Sequence, residues 1–94
     1  MSISIRIESG TITEYKNGSY NRSYGSGIQN AMTNGEMVVA VTRSGQIQEF
    51  ENGCHRRTFG SNAESAYYSG DIVCVSTKSG RIQEYRMGSF YREY

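Results

Sequence analysis

The residues of this chain that could do chemistry come in a repeated pair. Glu14, Glu49 and Glu84 stand 35 residues apart, and each is followed eight positions later by an arginine: Arg22, Arg57 and Arg92. A carboxylate and a guanidinium at a fixed offset can act in two ways. They can lock a hairpin as an ion pair, which contributes on the order of 0.2–1 kcal/mol when exposed. They can also hydrogen-bond the hydroxyls of a polar ligand while a nearby ring stacks on its apolar face. Recurrence in every copy is what a scaffold role predicts. Tyr67 and Tyr68 are different, because they replace Met32 and Thr33 of the preceding copy. An aromatic pair that breaks the pattern is a candidate partner contact. The candidate ligand-binding set is therefore Glu14, Arg22, Glu49, Arg57, Glu84, Arg92, Tyr67 and Tyr68.

Little else points to catalysis. The one histidine, His55, aligns with Tyr20 and Phe90, so its slot accepts a ring and a packing role is expected. A nucleophilic triad would need His55 as base, with no distinctive serine elbow beside it. The two cysteines lack metal-ligand spacing. Gly25-Ser26-Gly27 lacks the lysine and helix of a phosphate loop. The expectation is a non-enzymatic protein with no cofactor and no metal.

These residues must be positioned by the repeat itself. Ser9 to Gly18 (SGTITEYKNG) returns as Ser44 to Gly53 (SGQIQEFENG) and as Ser79 to Gly88 (SGRIQEYRMG), without gaps. A fixed period of this size marks a repeat architecture. The chain has no Leu, Pro or Trp; Ile, Val and Tyr alternate with polar residues, and eleven glycines supply turns. Such material suits strands rather than helices. Each full repeat reads as four strand-like runs: Gly27 to Thr33, Glu36 to Thr42, Gln46 to Phe50 and Cys54 to Phe59 in the second copy. Short Gly turns between them imply antiparallel meanders.

Met1 aligns with Glu36 and Asp71, so the first repeat lacks its first run and the expected strands number eleven. The repeats are bounded as 1–27, 28–62 and 63–94, in a single domain. Ile3, Ile5 and Ile7 match Val38, Ala40 and Thr42, then Val73, Val75 and Thr77. Asn17-Gly18 and Asn52-Gly53 suggest a two-residue turn, but the third copy has Met87-Gly88. Methionine is a poor residue for positive φ. A three-residue loop closed by a left-handed glycine is therefore expected in all three copies. It places each Glu and its Arg on one face of a hairpin.

Ten basic and nine acidic residues leave no basic stripe of the kind that binds nucleic acid. No apolar run approaches the roughly 18–20 residues of a membrane span. The opening residues alternate rather than forming a leader, so a cytoplasmic location is expected. Cys54 and Cys74 occupy different slots in the repeat and are expected to be free thiols.

The runs Gly35 to Phe50 (GEMVVAVTRSGQIQEF) and Gly70 to Ile82 (GDIVCVSTKSGRI) resemble the middle hairpin of β-propeller blades. The resemblance is to the general propeller pattern, without a Trp-Asp signature or a kelch double glycine. It implies an all-β protein of three four-stranded antiparallel blades, the first lacking one strand. A propeller needs about four to eight blades, so it also implies a six-bladed ring closed by dimerisation. The alternative is a three-sided β-prism, as in monocot mannose-binding lectins, whose Gln, Asp, Asn, Val and Tyr sugar pattern is absent here; a β-trefoil is a third solution. Small fucose-binding propeller lectins look similar in plan. They commonly stack sugar on Trp, and here Tyr20, Tyr24, Phe59, Phe90 and Tyr94 are the rings that could substitute. The leading expectation is a dimeric, non-enzymatic binding or scaffold protein that recognises another macromolecule, protein or glycan. The alternative is a multivalent carbohydrate-binding lectin.

Overall fold

Alternation and turn glycines decide the elements of the computed structural model, which describes residues 3–94. Its strands are β1 (Ile3–Glu8), β2 (Thr11–Lys16), β3 (Ser19–Tyr24), β4 (Ile28–Thr33), β5 (Met37–Thr42), β6 (Ile47–Glu51), β7 (Cys54–Phe59), β8 (Ala63–Ser69), β9 (Ile72–Thr77), β10 (Ile82–Arg86) and β11 (Ser89–Glu93). They form three antiparallel sheets in simple chain order: β1-β2-β3, β4-β5-β6-β7 and β8-β9-β10-β11. The expected division into three, four and four strands holds. Met1, on which the phase of the first repeat was read, lies outside the described residues.

The sheets pack face against face, with the β4–β7 sheet in the middle. Strand β5 shows why. Its residues point alternately to opposite faces, as in any strand. Val38 and Ala40 join Ile12, Ile28 and Phe50 in one core, which Ile3, Ile5 and Ile7 complete from the first sheet. Val39 and Val41 join Ile47, Ala63, Ala66, Val73, Val75 and Tyr85 in the other, against the third sheet. A strand buried on both faces must be apolar throughout, hence the unbroken run Met-Val-Val-Ala-Val. Backbone bonds tie each linker to a glycine turn of the preceding sheet: Ile28 N–H donates to the Gly10 carbonyl (3.0 Å) and Ala63 N–H to that of Gly45 (2.9 Å).

The hairpin turns correct one expectation. Lys16 pairs with Ser19, Glu51 with Cys54 and Arg86 with Ser89, so each connection has two residues rather than three. Both central residues are left-handed in every copy, including Met87 (φ 51) before Gly88 (φ 83). Two left-handed residues match the twist of the flanking strands, and that requirement overrides the methionine's preference. The extra residue lies within the strand instead. Asn21, Arg56 and Tyr91 are each bulged out, and beyond them Glu14 meets Arg22, Glu49 meets Arg57 and Glu84 meets Arg92. Each carboxylate and its guanidinium thus share a face, as expected, through a bulge in the strand and not in the turn.

Strand β1 forms as its alternation implies, but in a shifted register. Ile5 pairs with Glu14, whereas the corresponding partners of Glu49 and Glu84 are Val39 and Cys74, one alignment position earlier. The connection before β2 is a two-residue turn, Ser9-Gly10, both with positive φ (52° and 78°). A slip of one residue exchanges the faces of a strand. Ile3, Ile5 and Ile7 therefore point at the middle sheet, while their alignment mates Val38 and Ala40 point back at them. The physical cause is burial: β1 has its isoleucines on one face only, and the slip turns that face to the core.

Candidate functional site

The three carboxylates sit on the central strands β2, β6 and β10, each at the heart of a small polar unit. Glu49 is buried. Its Oε1 accepts from Arg57 Nη1 (2.7 Å) and its Oε2 from the Tyr68 hydroxyl (2.6 Å). Glu84 accepts from Arg92 Nε (2.7 Å) and from the Tyr94 hydroxyl (2.6 Å). Glu14 accepts from the Tyr24 hydroxyl (2.9 Å) and Asn21 Nδ2 (2.6 Å), with Arg22 Nε at 3.3 Å. Every unit therefore contains a carboxylate, a guanidinium and a phenol. Burying a carboxylate is costly unless it is paired and hydrogen-bonded, and these partners meet both conditions.

The phenol of the middle unit comes from elsewhere. Tyr24 and Tyr94 occupy one slot of the repeat, and the middle copy has Phe59 there, which has no hydroxyl. Tyr68, from strand β8 of the next sheet, replaces the missing donor. The break at Tyr67-Tyr68 is thus partly structural: Tyr68 completes the Glu49 unit, while Tyr67 remains exposed on the outer face of the third sheet. The signal was readable as a pair of departures, a hydroxyl lost at Phe59 and one gained at Tyr68.

These contacts set the protonation states. Burial first, then the hydrogen bond to Glu49, pushes the Tyr68 phenol far above its ordinary value. Burial and Glu14 do the same for Tyr24. For Tyr94 the hydrogen bond to Glu84 is the leading cause. The Tyr94 hydroxyl and then Arg92 hold the Glu84 carboxyl below the usual carboxylate range. The phenols are neutral donors and Glu84 is an anion at neutral pH.

Two of the units open into clefts between sheets. One, of about 240 Å³, has Glu14 and Lys16 on one wall and Gly35, Glu36 and Asn52 on the other. A second, of about 450 Å³, is built from Glu49, Glu51, Gly70, Asp71 and Met87, with Arg57 and Tyr68 added. Each of the first five is the residue 35 positions on, so the clefts are successive copies of one site. Lys16 in the first becomes Glu51 in the second, so their charges differ.

The sheet-to-sheet junctions are also copied. Tyr24 packs on Phe50 with ring centroids 5.1 Å apart, and Phe59 on Tyr85 at 4.8 Å. A methyl group placed on Gly53 would meet Arg22 Cδ at 2.5 Å, and one on Gly88 would meet Arg57 Cδ at 2.8 Å. A side chain at either position, already strained by the positive φ of 79° and 83°, would also have to displace the arginine stem of the preceding sheet. The third unit has no such neighbour, and the Arg92 side chain is 60% exposed where those of Arg22 and Arg57 are 35% and 31%.

The other chemically capable residues lie apart. His55 stands edge-on to Phe50 and its Nε2 is 2.7 Å from the Thr58 hydroxyl. Cys54 is exposed, Cys74 is buried, and both are free. Among the described residues, no three His, Cys, Asp or Glu side chains are grouped to hold a metal ion. Tyr20 and Phe90 are exposed, Phe90 edge-on to Tyr85.

The sequence profile described as "Helicobacter pylori IceA2 protein" matches residues 1–47 and again residues 43–94. The chain belongs to this family. The double match follows the internal repeat: the same pattern is met once from the first sheet into the second, and once from the second into the third. No curated protein matches the chain in sequence.

Proposed function

We propose that this chain is a non-enzymatic binding or scaffold protein whose repeated inter-sheet clefts recognise another macromolecule. The observation that carries the reading is that the carboxylates are already engaged. Each accepts hydrogen bonds from an arginine or asparagine and from a tyrosine, an arrangement that fixes a surface rather than freeing a base. A general base must reach the proton it abstracts, and these groups are spent on their own sheet or on the next. In this proposal the sheets are blades of a propeller, and a second copy supplies the further blades that a ring requires.

A second reading, a multivalent carbohydrate-binding lectin, is favoured by the larger cleft. It brings Glu49, Arg57, Asp71 and the Tyr68 ring to one concavity, a set suited to hydroxyls and to stacking. The test is binding to immobilised glycans and to immobilised proteins, with wild type and with a triple variant carrying Arg22→Gln, Arg57→Gln and Arg92→Gln. Saturable binding to a defined protein with no glycan retained supports the scaffold reading. Saturable sugar binding, abolished in the triple variant while its circular dichroism stays native, replaces that reading with the lectin.

A further inference from the structure

The third unit lacks the following sheet that covers the other two. Ile12 and Ile47 are fully buried, whereas Ile82, the same residue one repeat on, is only half-buried. Tyr24 and Phe59 each lie on an aromatic ring of the following sheet, whereas Tyr94 is 61% exposed. The Arg22 and Arg57 stems each lie against a turn glycine of the following sheet, Gly53 and Gly88. At the other end of the stack, Gly18 occupies that turn slot and has nothing within 4 Å of the position a Cβ would take. Tyr15, in the slot of Phe50 and Tyr85, is covered from outside by Arg6, whose guanidinium lies 5.8 Å from the ring centre. One end of the stack offers an unfilled ring and guanidinium. The opposite end offers the turn and the ring that would receive them.

We propose that a second copy of this chain packs the outer face of its first sheet on the outer face of the third, head to tail. Arg92 and Tyr94 of one copy then lie on Asn17-Gly18 and Tyr15 of the next. This inference rests on the reading that a second copy completes the ring. The occupant is another copy because both internal junctions show what this face accepts. It takes a ring in the Phe50 and Tyr85 slot and a bare glycine in the Gly53 and Gly88 slot, and the first sheet presents both; only its edge strand differs, since the slip of β1 puts Ser4, Arg6 and Glu8 where the internal junctions bury Val38 and Ala40 or Val73 and Val75. The junction is heterologous, since the two surfaces differ. Two copies joined this way close a ring if the rotation allows, and open filaments form if it does not.

The contact can be trapped between cysteines. The Arg22 guanidinium donates to the Asn52 carbonyl across the first internal junction, so the corresponding pair across the proposed one is Arg92 with Asn17. Two proteins are made, Arg92→Cys and Asn17→Cys. Both also carry Cys54→Ser and Cys74→Val, substitutions that restore residues found in the same slots of other repeats. Mixed and mildly oxidised, they are expected to give the heterodisulfide between the two substituted positions well above the statistical half. Tyr94→Ala, at an exposed site, is expected to weaken self-association in light scattering at least about tenfold with unchanged circular dichroism. Homodisulfides alone would overturn the head-to-tail arrangement. A dimer by scattering that gives no excess heterodisulfide and is insensitive to Tyr94→Ala would overturn this junction while leaving a second copy in the ring. A folded monomer at all concentrations would overturn both.

Discussion

The Glu49 and Glu84 units contain the same groups at the same hydrogen-bond distances, yet one lies between two sheets and the other on an open face. The 2.7 Å contact from arginine to carboxylate forms in both. The ion pair is therefore a property of the bulged hairpin and needs no neighbour. What the neighbour adds is the Tyr68 hydroxyl on Glu49 and burial: of Ile47 with Val73 and Val75, of the Phe59 ring, and of the arginine stem. In a stack where each sheet contacts only the next, stability is approximately a sum of sheet and junction terms. Equivalent substitutions at a junction and on the open face should then separate the two.

The widest separation is expected for isoleucine. Ile47→Ala empties a site closed on every side and should cost about 4 kcal/mol, where Ile82→Ala, half-open to water, should cost clearly less. Urea denaturation of both variants under conditions where the chain is monomeric measures the gap. Equal losses would mean that the third sheet is already covered. If Ile82→Ala approaches Ile47→Ala only as concentration rises, the missing cover is another copy.

Glycine gives the next contrast. Gly53 and Gly18 both have positive φ, 79° and 78°, so an alanine at either is strained by about 1 kcal/mol or more. Gly53→Ala must also push Arg22 off the turn and disturb its contact with Glu14. A total near ~2 kcal/mol is expected for Gly53→Ala and about half that for Gly18→Ala in the monomer. Identical midpoints would mean that the arginine stem moves aside freely.

These pairs also mark how much could be read from the sequence. The repeat, its eleven strands and the meander order follow from local signals, a period of two and a glycine at each turn, and the strand bounds agree within a residue or so. The Glu and Arg partnership was legible for a reason that turned out to be misplaced. The offset of eight requires one bulged residue, but nothing in the chain says whether it sits in the turn or at Asn21, Arg56 and Tyr91. Propensity favoured the turn because of Met87, and the twist of the paired strands outweighed it. The slip of β1 was hidden more deeply. Alignment assumes that equal positions face equal ways, and the loop between the first two strands shortened while the sequence kept its length. Only the polar Ser4, Arg6 and Glu8 between the isoleucines hint that this strand has a single buried face. The Tyr68 donor was invisible to any reading that treated each repeat alone, since it belongs to one sheet and serves another.

Tyr68 also offers a direct test of that service. Tyr68→Phe removes the hydroxyl from a buried carboxylate while keeping the ring, and should cost about 1.5 kcal/mol. Phe59→Tyr in the same background puts a hydroxyl back in the slot that Tyr24 and Tyr94 use. Recovery of part of the loss would show that either sheet can supply the phenol. No recovery would mean that the ring of Phe59, held against Tyr85, cannot turn its edge toward Glu49.

The smallest expected effect is that of acid on the open unit. The Tyr94 hydroxyl and Arg92 hold the Glu84 carboxyl below its ordinary value in the fold. A group so depressed binds fewer protons folded than unfolded, so its contribution to stability is complete above the unfolded value, about 4.3, and is lost as pH falls through the depressed one. Glu93 shifts the same way, through Gln83 first and then Arg81, and contributes in the same window. Glu84→Gln should therefore be less stable than wild type at pH 7 and approach it near pH 3, where the wild-type carboxyl is also neutral. Solvent and salt reach the exposed Arg92 and Tyr94, so the difference should shrink further in 1 M salt. Parallel stability curves for the two proteins from pH 7 to pH 3 would show that the contacts of Glu84 with Arg92 and Tyr94 hold geometry without holding charge. A difference that survives both acid and salt would point to burial of Arg92 and Tyr94, which in a single chain are exposed.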